Sequence, residues 1–219
     1  MAHRRRPLAT ALALNTAALV VEIGAGVPAK SLSLVMDGVH NLSDEAALAS
    51  LVLAYSLRAG VSGRWLRAAN GFNSLGLLAI TAVLVGQAVE RFGSPHAVPG
   101  VVPIVVGLLA AAANWGVARV LREAAAEDAA IRLAYVHNLG DTLVSLVPVA
   151  AGGMTLLTGS ALADPIAALV IACAILVPTL RAVVGSHQEL VWPENVTCGH
   201  SPDGHTDEVH GDVAVSDVR

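Results

Sequence analysis

Val39-His40-Asn41-Leu42-Ser43-Asp44 returns 97 positions later (137 less 40) as Val136-His137-Asn138-Leu139-Gly140-Asp141, with five of six residues unchanged. Both copies sit inside long apolar stretches. On a helix, residues i and i+4 project from one face, so each copy presents one imidazole and one carboxylate together. An Asp near the middle of a membrane span costs roughly 2.5–3.5 kcal/mol. Two such pairs at matched depth therefore call for a compensating partner, either a metal ion or transferable protons. Two nitrogens and two oxygens set tetrahedrally suit Zn²⁺. Calcium and magnesium ask for more oxygens, and copper(I) for sulfur. A single HxxxD is also a plausible hydrogen-bonded packing pair. The duplication is what argues for one shared site built from His40, Asp44, His137 and Asp141.

The surroundings are those of a membrane protein. Of 219 residues, 55% are hydrophobic, 14% charged and only 3% aromatic, and the mean hydropathy is +0.66. Soluble domains sit near 45–50% apolar and about 25% charged. A spanning helix needs about 20 apolar residues. Six such stretches are expected at about 8–28, 32–57, 68–90, 100–121, 131–157 and 163–184. Breaks fall at Pro28 to Lys30, Gly60 to Gly63, Gly93 to Pro99, Glu123 to Asp128, and Gly159 to Ala163. The fold class is thus all-α, a polytopic membrane protein of six helices. The motif copies occupy the second and fifth spans, the middle helix of each half, as in transporters built from repeats.

Lys and Arg asymmetry sets the expected orientation. With the N-terminus cytoplasmic, that side holds Arg4, Arg5, Arg6, Arg58, Arg64, Arg67, Arg119, Arg122, Arg132, Arg181 and Arg219, and the other side only Lys30 and Arg91. Both termini are expected in the cytoplasm. The layout is a cytoplasmic N-terminus at 1–7, a six-helix transmembrane domain at 8–186, and a short polar tail at 187–219. The tail carries Cys198, His200, Asp203, His205, Asp207, Glu208, His210 and Asp212, without regular ligand spacing. It reads as a disordered acidic segment, with a weak cytoplasmic zinc collector as the sharper alternative.

Several classes are excluded or disfavoured. Asn15 and Glu22 interrupt the first apolar run, which is poor for a cleaved signal peptide. Cys173 and Cys198 form no CxxC pair, and Cys173 reads as a small buried hydrophobe. There is no P-loop pattern and no HExxH. Asp37-Gly38 begins like a membrane phosphatidyltransferase motif but lacks the Ala-Arg that should follow, so an enzyme is not expected. A non-transporting metal-binding or regulatory subunit is the alternative from another class. No nucleic-acid partner and no resident cofactor are expected.

The stretch Ser31 to Asp44, with its Asp37 three residues before His40, and the second motif in the fifth span resemble the cation diffusion facilitator family, especially its zinc-transporting branch. Weaker matches are Asn15 and Glu22 in the first span, Asn73 and Glu90 in the third, Asn114 in the fourth and Ala163-Asp-Pro165 at the start of the sixth. The resemblance covers about residues 8–195. It implies proton-coupled antiport of a divalent cation by alternating access. His at both motif positions implies Zn²⁺, with Cd²⁺, Co²⁺ and Ni²⁺ as further cargo. It also implies a homodimer in the lipid bilayer. The C-terminal cytoplasmic domain and the His-rich loop usual in the family have no counterpart here, which puts dimerisation and metal sensing in doubt. The Ala-, Val- and Gly-rich spans with short loops suggest a bacterial inner membrane.

Around the site, Asp37 is expected to orient His40 or to act as a relay, and Glu22 to line the path or bond between helices. Asn15, Asn70, Asn73 and Asn114 are expected as interhelical donors. Gly140 is expected to allow tight packing or bending.

Overall fold

The computed structural model describes residues 2–56 and 63–185, and their side chains at 6–53, 73–128 and 131–181. The polar tail, His187, the side chains of Arg58, Arg64, Arg67 and Asn70, and most of the expected Gly60–Gly63 break lie outside the described residues. All regular structure among the described residues is helical: α1 (Ala2–Gly26), α2 (Leu32–Ser56), α3 (Gly63–Gly93), α4 (Val101–Glu127), α5 (Ala129–Val144), α6 (Leu146–Thr158) and α7 (Ala163–Gly185).

Five segments are long and apolar enough to cross a membrane: Arg6–Gly26, Asn73–Gly93, Val101–Glu127, Ile131–Thr158 and Ala163–Arg181. The remaining helix, α2, carries Asp37, Asp44 and Glu45. Its 25 residues reach about 37 Å at 1.5 Å per residue, enough for a span. It buries Asp37 and Asp44 against other helices, so the charges that lower its hydropathy are kept from lipid.

The fifth expected span is two helices. They meet at Ser145, whose backbone stays near helical (φ −65°, ψ −13°). Pro148 has no N–H to give the carbonyl of Val144 and crowds that turn, which interrupts the ladder there. The break at Glu123 to Asp128 is shorter than expected: α4 runs on to Glu127 and only Asp128 is extended (φ −137°, ψ 120°). Its carboxylate then accepts from the Ile131 N–H at 3.2 Å, capping α5. The turn after α6 closes at Gly159, whose φ of 68° suits glycine.

Call the end where α1 starts the inner end and the opposite one the outer end. Two apolar cores stack along α2. Near the inner end, Leu8 and Ala11 of α1, Leu48 and Leu51 of α2, Val117, Leu121 and Ala125 of α4 and Ile131 of α5 pack together. Near the outer end, Leu32, Met36 and Val39 of α2 pack with Leu77, Leu84 and Ala88 of α3 and Ala168, Ile171, Ala172 and Ile175 of α7. Between and beside the cores lies a buried polar layer containing Asn15, Glu22, Asp37, His40, Asn41, Asp44, Asn114, Asn138 and Asp141.

Two expectations about small residues need correction. Cys173 is exposed on α7 rather than buried, because the helix turns its apolar outer face away from the bundle. Gly140 makes no close packing, since a Cβ there would meet nothing within 4 Å. The close approach belongs instead to Gly152, where an added Cβ would lie 2.4 Å from the Gly100 carbonyl and 2.8 Å from Ile104. That pair seats α6 against the start of α4.

Candidate metal centre

The two hexapeptides converge as their spacing requires. Helices α2 and α5 do not pack along their lengths; each leans on its own neighbour, α1 or α4, and they meet chiefly through the four motif side chains. His40 Nε2 lies 2.9 Å from Asp141 Oδ1, and His137 Nε2 lies 2.7 Å from Asp44 Oδ1. Within each helix the imidazole and carboxylate stand 3.9 Å (His40 to Asp44) and 3.8 Å (His137 to Asp141) apart. The imidazole rings sit 5.5 Å apart at 69°. One ligand atom from each of the four residues falls within 4.8 Å of all the others.

Those distances fit a zinc-sized cation. Ligands about 2.0–2.2 Å from Zn²⁺ in a tetrahedron lie about 3.3–3.6 Å from one another. The cross-helix pairs are slightly closer than this and the same-helix pairs slightly wider. Shifts of under about 1 Å would therefore exchange the direct His–Asp contacts for bonds to a central ion. Asp44 Oδ2, Asp141 Oδ2 and His40 Nδ1 are buried without hydrogen-bond partners, so the donor set has spare capacity. The His137 side chain is 49% exposed, against 11% for His40 and 5% for both Asp44 and Asp141. The cluster is thus closed on three sides and open beside His137.

The polar neighbours build outward from here. Asn15 of α1 donates to the Asn41 carbonyl at 2.9 Å and to Glu45 Oε2 at 3.0 Å. Asn73 of α3 donates to Ser43 Oγ at 2.8 Å, and Asn114 of α4 to Ser145 Oγ at 3.1 Å. All three are the interhelical donors expected of them. Asn138 donates within its own helix, to the Ala134 carbonyl. Glu22 accepts from Asn41 Nδ2 at 2.5 Å. Asp37 is fully buried, and neither of its oxygens receives a hydrogen bond. It stands beside Glu22 and Ser145 and holds neither ring nitrogen of His40.

One buried group was visible in the sequence only as part of the weak Ala163-Asp-Pro165 match. Asp164, in the first turn of α7, accepts from Ser31 Oγ (2.6 Å), Ser33 Oγ (2.7 Å) and the Leu32 N–H (2.7 Å). It thereby caps the N-terminus of α2 from another helix. Arg91 of α3 stands 3.5 Å from the same carboxylate and donates to the Lys30 carbonyl. An acid at a helix start was the only sequence signal.

Residues 8–191 match the family described as the cation efflux transmembrane domain. The chain belongs to that family. The cation efflux domain is a transport domain rather than an enzyme, and this member of it is a multi-pass membrane protein. Its relatives include the zinc transporter ZitB of Escherichia coli (strain K12), 31% identical over 198 residues, which are 86% of this chain and 63% of ZitB. The cadmium, cobalt and zinc/H(+)-K(+) antiporter of Bacillus subtilis (strain 168) is 25% identical over 182 residues, 78% of this chain and 58% of the relative. The metal cation efflux system protein CzcD of Cupriavidus metallidurans is 29% identical over 174 residues, 76% of this chain and 55% of CzcD. The chain thus spans about three-fifths of the curated relatives' length.

Proposed function

We propose that this cation efflux domain carries Zn²⁺ out of the cytoplasm in exchange for protons, by alternating access. The observation that carries the proposal is the convergence of His40, Asp44, His137 and Asp141, whose ligand atoms lie within 4.8 Å of one another. The names of ZitB and of the Bacillus antiporter support zinc as cargo and proton exchange as the drive, with cadmium and cobalt as further cargo; nickel is the weaker extension of the same donor set.

The exchange follows from the ligands. Only neutral imidazole and ionised carboxylate bind a metal ion, so protons and Zn²⁺ compete for the same atoms. When the site faces the cytoplasm, its ligands are deprotonated and take up the ion. When it faces a more acidic outside, protonation releases it. An unperturbed imidazole titrates near pH 6.5, within the range a membrane gradient spans. In this scheme the inner end of the bundle is cytoplasmic, the domain occupies residues 8–186, the tail at 187–219 lies in the cytoplasm, and the membrane is a bacterial inner membrane.

Zinc uptake into proteoliposomes under an imposed pH gradient tests this, with His40→Ala and Asp141→Ala alongside. Gradient-driven uptake by the wild type and its loss in both variants are expected. Zinc binding with no flux under any gradient would instead make the protein a metal-binding subunit.

A further inference from the structure

Beside the zinc cluster lies a second group of buried acids that the exchange scheme leaves unused. Glu22 of α1 and Asp37 of α2 stand side by side, both with no exposed surface. Gly38 permits this approach: a Cβ there would lie 2.7 Å from Ile23 and 3.3 Å from the Glu22 Cβ. Asn41 Nδ2 donates to one Glu22 oxygen. The other acceptors of the group have no donor: Glu22 Oε1, Asp37 Oδ1, Asp37 Oδ2 and the Asn41 Oδ1.

A buried cluster of acceptors is costly unless something positive or donating completes it. The ionisable groups that face the pair are Asp44 and His40 on α2 and Asp141 on α5. From helix α4 the amide of Asn114 reaches toward the pair through Ser145. Arg91, the basic residue of α3 near the outer end, is engaged with Asp164 and the Lys30 carbonyl. No Lys or Arg completes the cluster among these partners.

We propose that Glu22 and Asp37, with the amide oxygen of Asn41, form a second, all-oxygen cation site that holds the counter-ion, a hard monovalent cation, while the His–Asp cluster holds zinc. This rests on the exchange of Zn²⁺ for a second cation proposed above, but places the driving counter-ion beside the zinc ligands rather than on them. The donor chemistry separates them: carboxylate and amide oxygens suit a proton or an alkali ion, whereas the imidazoles of the neighbouring site select zinc. Asp37 lies three residues from His40, about 4.5 Å along the helix at 1.5 Å per residue. Two cations so close in a poorly hydrated interior repel, so filling one site empties the other. That repulsion couples the flows without requiring both ions to share ligands.

The test is zinc uptake into proteoliposomes under two separate drives, a pH gradient at equal potassium and a potassium gradient at equal pH. The arm that drives the wild type names the counter-ion. Glu22→Gln and Asp37→Asn are expected to lose gradient-driven uptake while the purified variants still bind Zn²⁺, which His40→Ala does not. Gradient-driven uptake retained in both amide variants overturns the proposal. So does loss of zinc binding in a folded amide variant, which would make that carboxylate part of the zinc site. Should either variant fail to fold, Asn41→Ala is read in its place: weakened drive with zinc binding intact supports the site, and unchanged drive overturns it. A wild type that binds zinc but responds to neither gradient overturns the exchange scheme itself, an outcome distinct from a loss confined to the variants.

Discussion

His137 differs from its three companions in being half exposed, yet its removal, like that of Asp141, strands a buried partner. Asp141→Ala leaves the buried His40 Nε2 without its 2.9 Å partner, and an orphaned buried polar group costs about 1–3 kcal/mol. His137→Ala removes a side chain that is 49% exposed, but it leaves the buried Asp44 Oδ1 without its 2.7 Å partner, beside an Oδ2 that already has none, so it carries a cost of the same kind. Both variants are expected to lose zinc binding by more than the ~10–100-fold typical of a residue one step removed from a metal. In metal-free thermal unfolding, both variants are expected to fall, since each strands one buried partner. Calorimetric titration and a melting series check the pair of outcomes, and an unchanged melting temperature in either variant would contradict the geometry. Zinc affinity is also expected to weaken as pH drops, because each neutral imidazole that gains a proton stops being a ligand. A zinc titration repeated at several pH values reads that slope, and a flat profile would exclude the imidazoles as ligands. The cluster of His40, Asp44, His137 and Asp141 was legible in the sequence because duplication marks these residues and the i, i+4 spacing orients each pair. The neighbourhood of Asp37 was not. Its place three residues before His40 suggested support for that ring, whereas the rotation of α2 against α1 sets it beside Glu22. Spacing along one helix fixes a stripe, but which neighbour the edge of the stripe meets depends on how two helices pack.

The helices themselves were legible wherever apolar length was the deciding quantity, as for Val101–Glu127 and Ala163–Arg181. The interruption between α5 and α6 was not, since the run from 131 to 157 keeps its hydropathy through Ser145. Its cause, Pro148, is a local backbone effect that a hydropathy window averages away. The break sets Ser145 between Asn114 and Asp37, so a kink helps place polar atoms near the site. Glycines tell a similar story: Gly140 lies within the motif and drew attention, yet Gly152 is the one the packing needs. Gly152→Val would drive methyl groups into the Gly100 carbonyl and Ile104, and overpacking of this kind costs about 1–3 kcal/mol. Gly140→Ala meets nothing within 4 Å and reduces the backbone freedom lost on folding, a gain of roughly 0.5–1 kcal/mol inside a helix. Opposite shifts in detergent melting temperature are therefore expected. A neutral Gly152→Val would show that α4 and α6 do not approach as closely as described.

Across the whole molecule, the two stacked cores leave α2 common to both, with its inner half packed among α1, α4 and α5 and its outer half against α3 and α7. The helix that carries half of the candidate metal site is thereby shared by two groups of helices. Asp164 ties its outer end down. Removing that carboxylate by Asp164→Ala strands the Leu32 N–H and leaves the Ser31 and Ser33 hydroxyls only each other, at 3.2 Å, with an expected loss of at least about 4 kcal/mol, since bonds to a charged group are worth about 1.5–3 each. Arg91→Ala removes only a 3.5 Å ion pair and one carbonyl contact and is expected to cost under about 1 kcal/mol, the usual worth of a partly exposed pair. Charge gives the expected orientation of this frame. Lys30 and Arg91 sit at the outer end beside Asp164, while Arg119, Arg122 and Arg132 flank the turn between α4 and α5 at the inner end. Held against the preference of basic loops for the cytoplasm, that bias predicts the α3–α4 loop outside and the α4–α5 turn inside. Single cysteines at His96 and Glu123, in a background with Cys173 and Cys198 replaced by serine, report it directly. His96→Cys is expected to react with a membrane-impermeant maleimide in intact cells, and Glu123→Cys only after permeabilisation. Labelling in the reverse order would turn the bundle over, and the zinc cluster would then load from the wrong side for export.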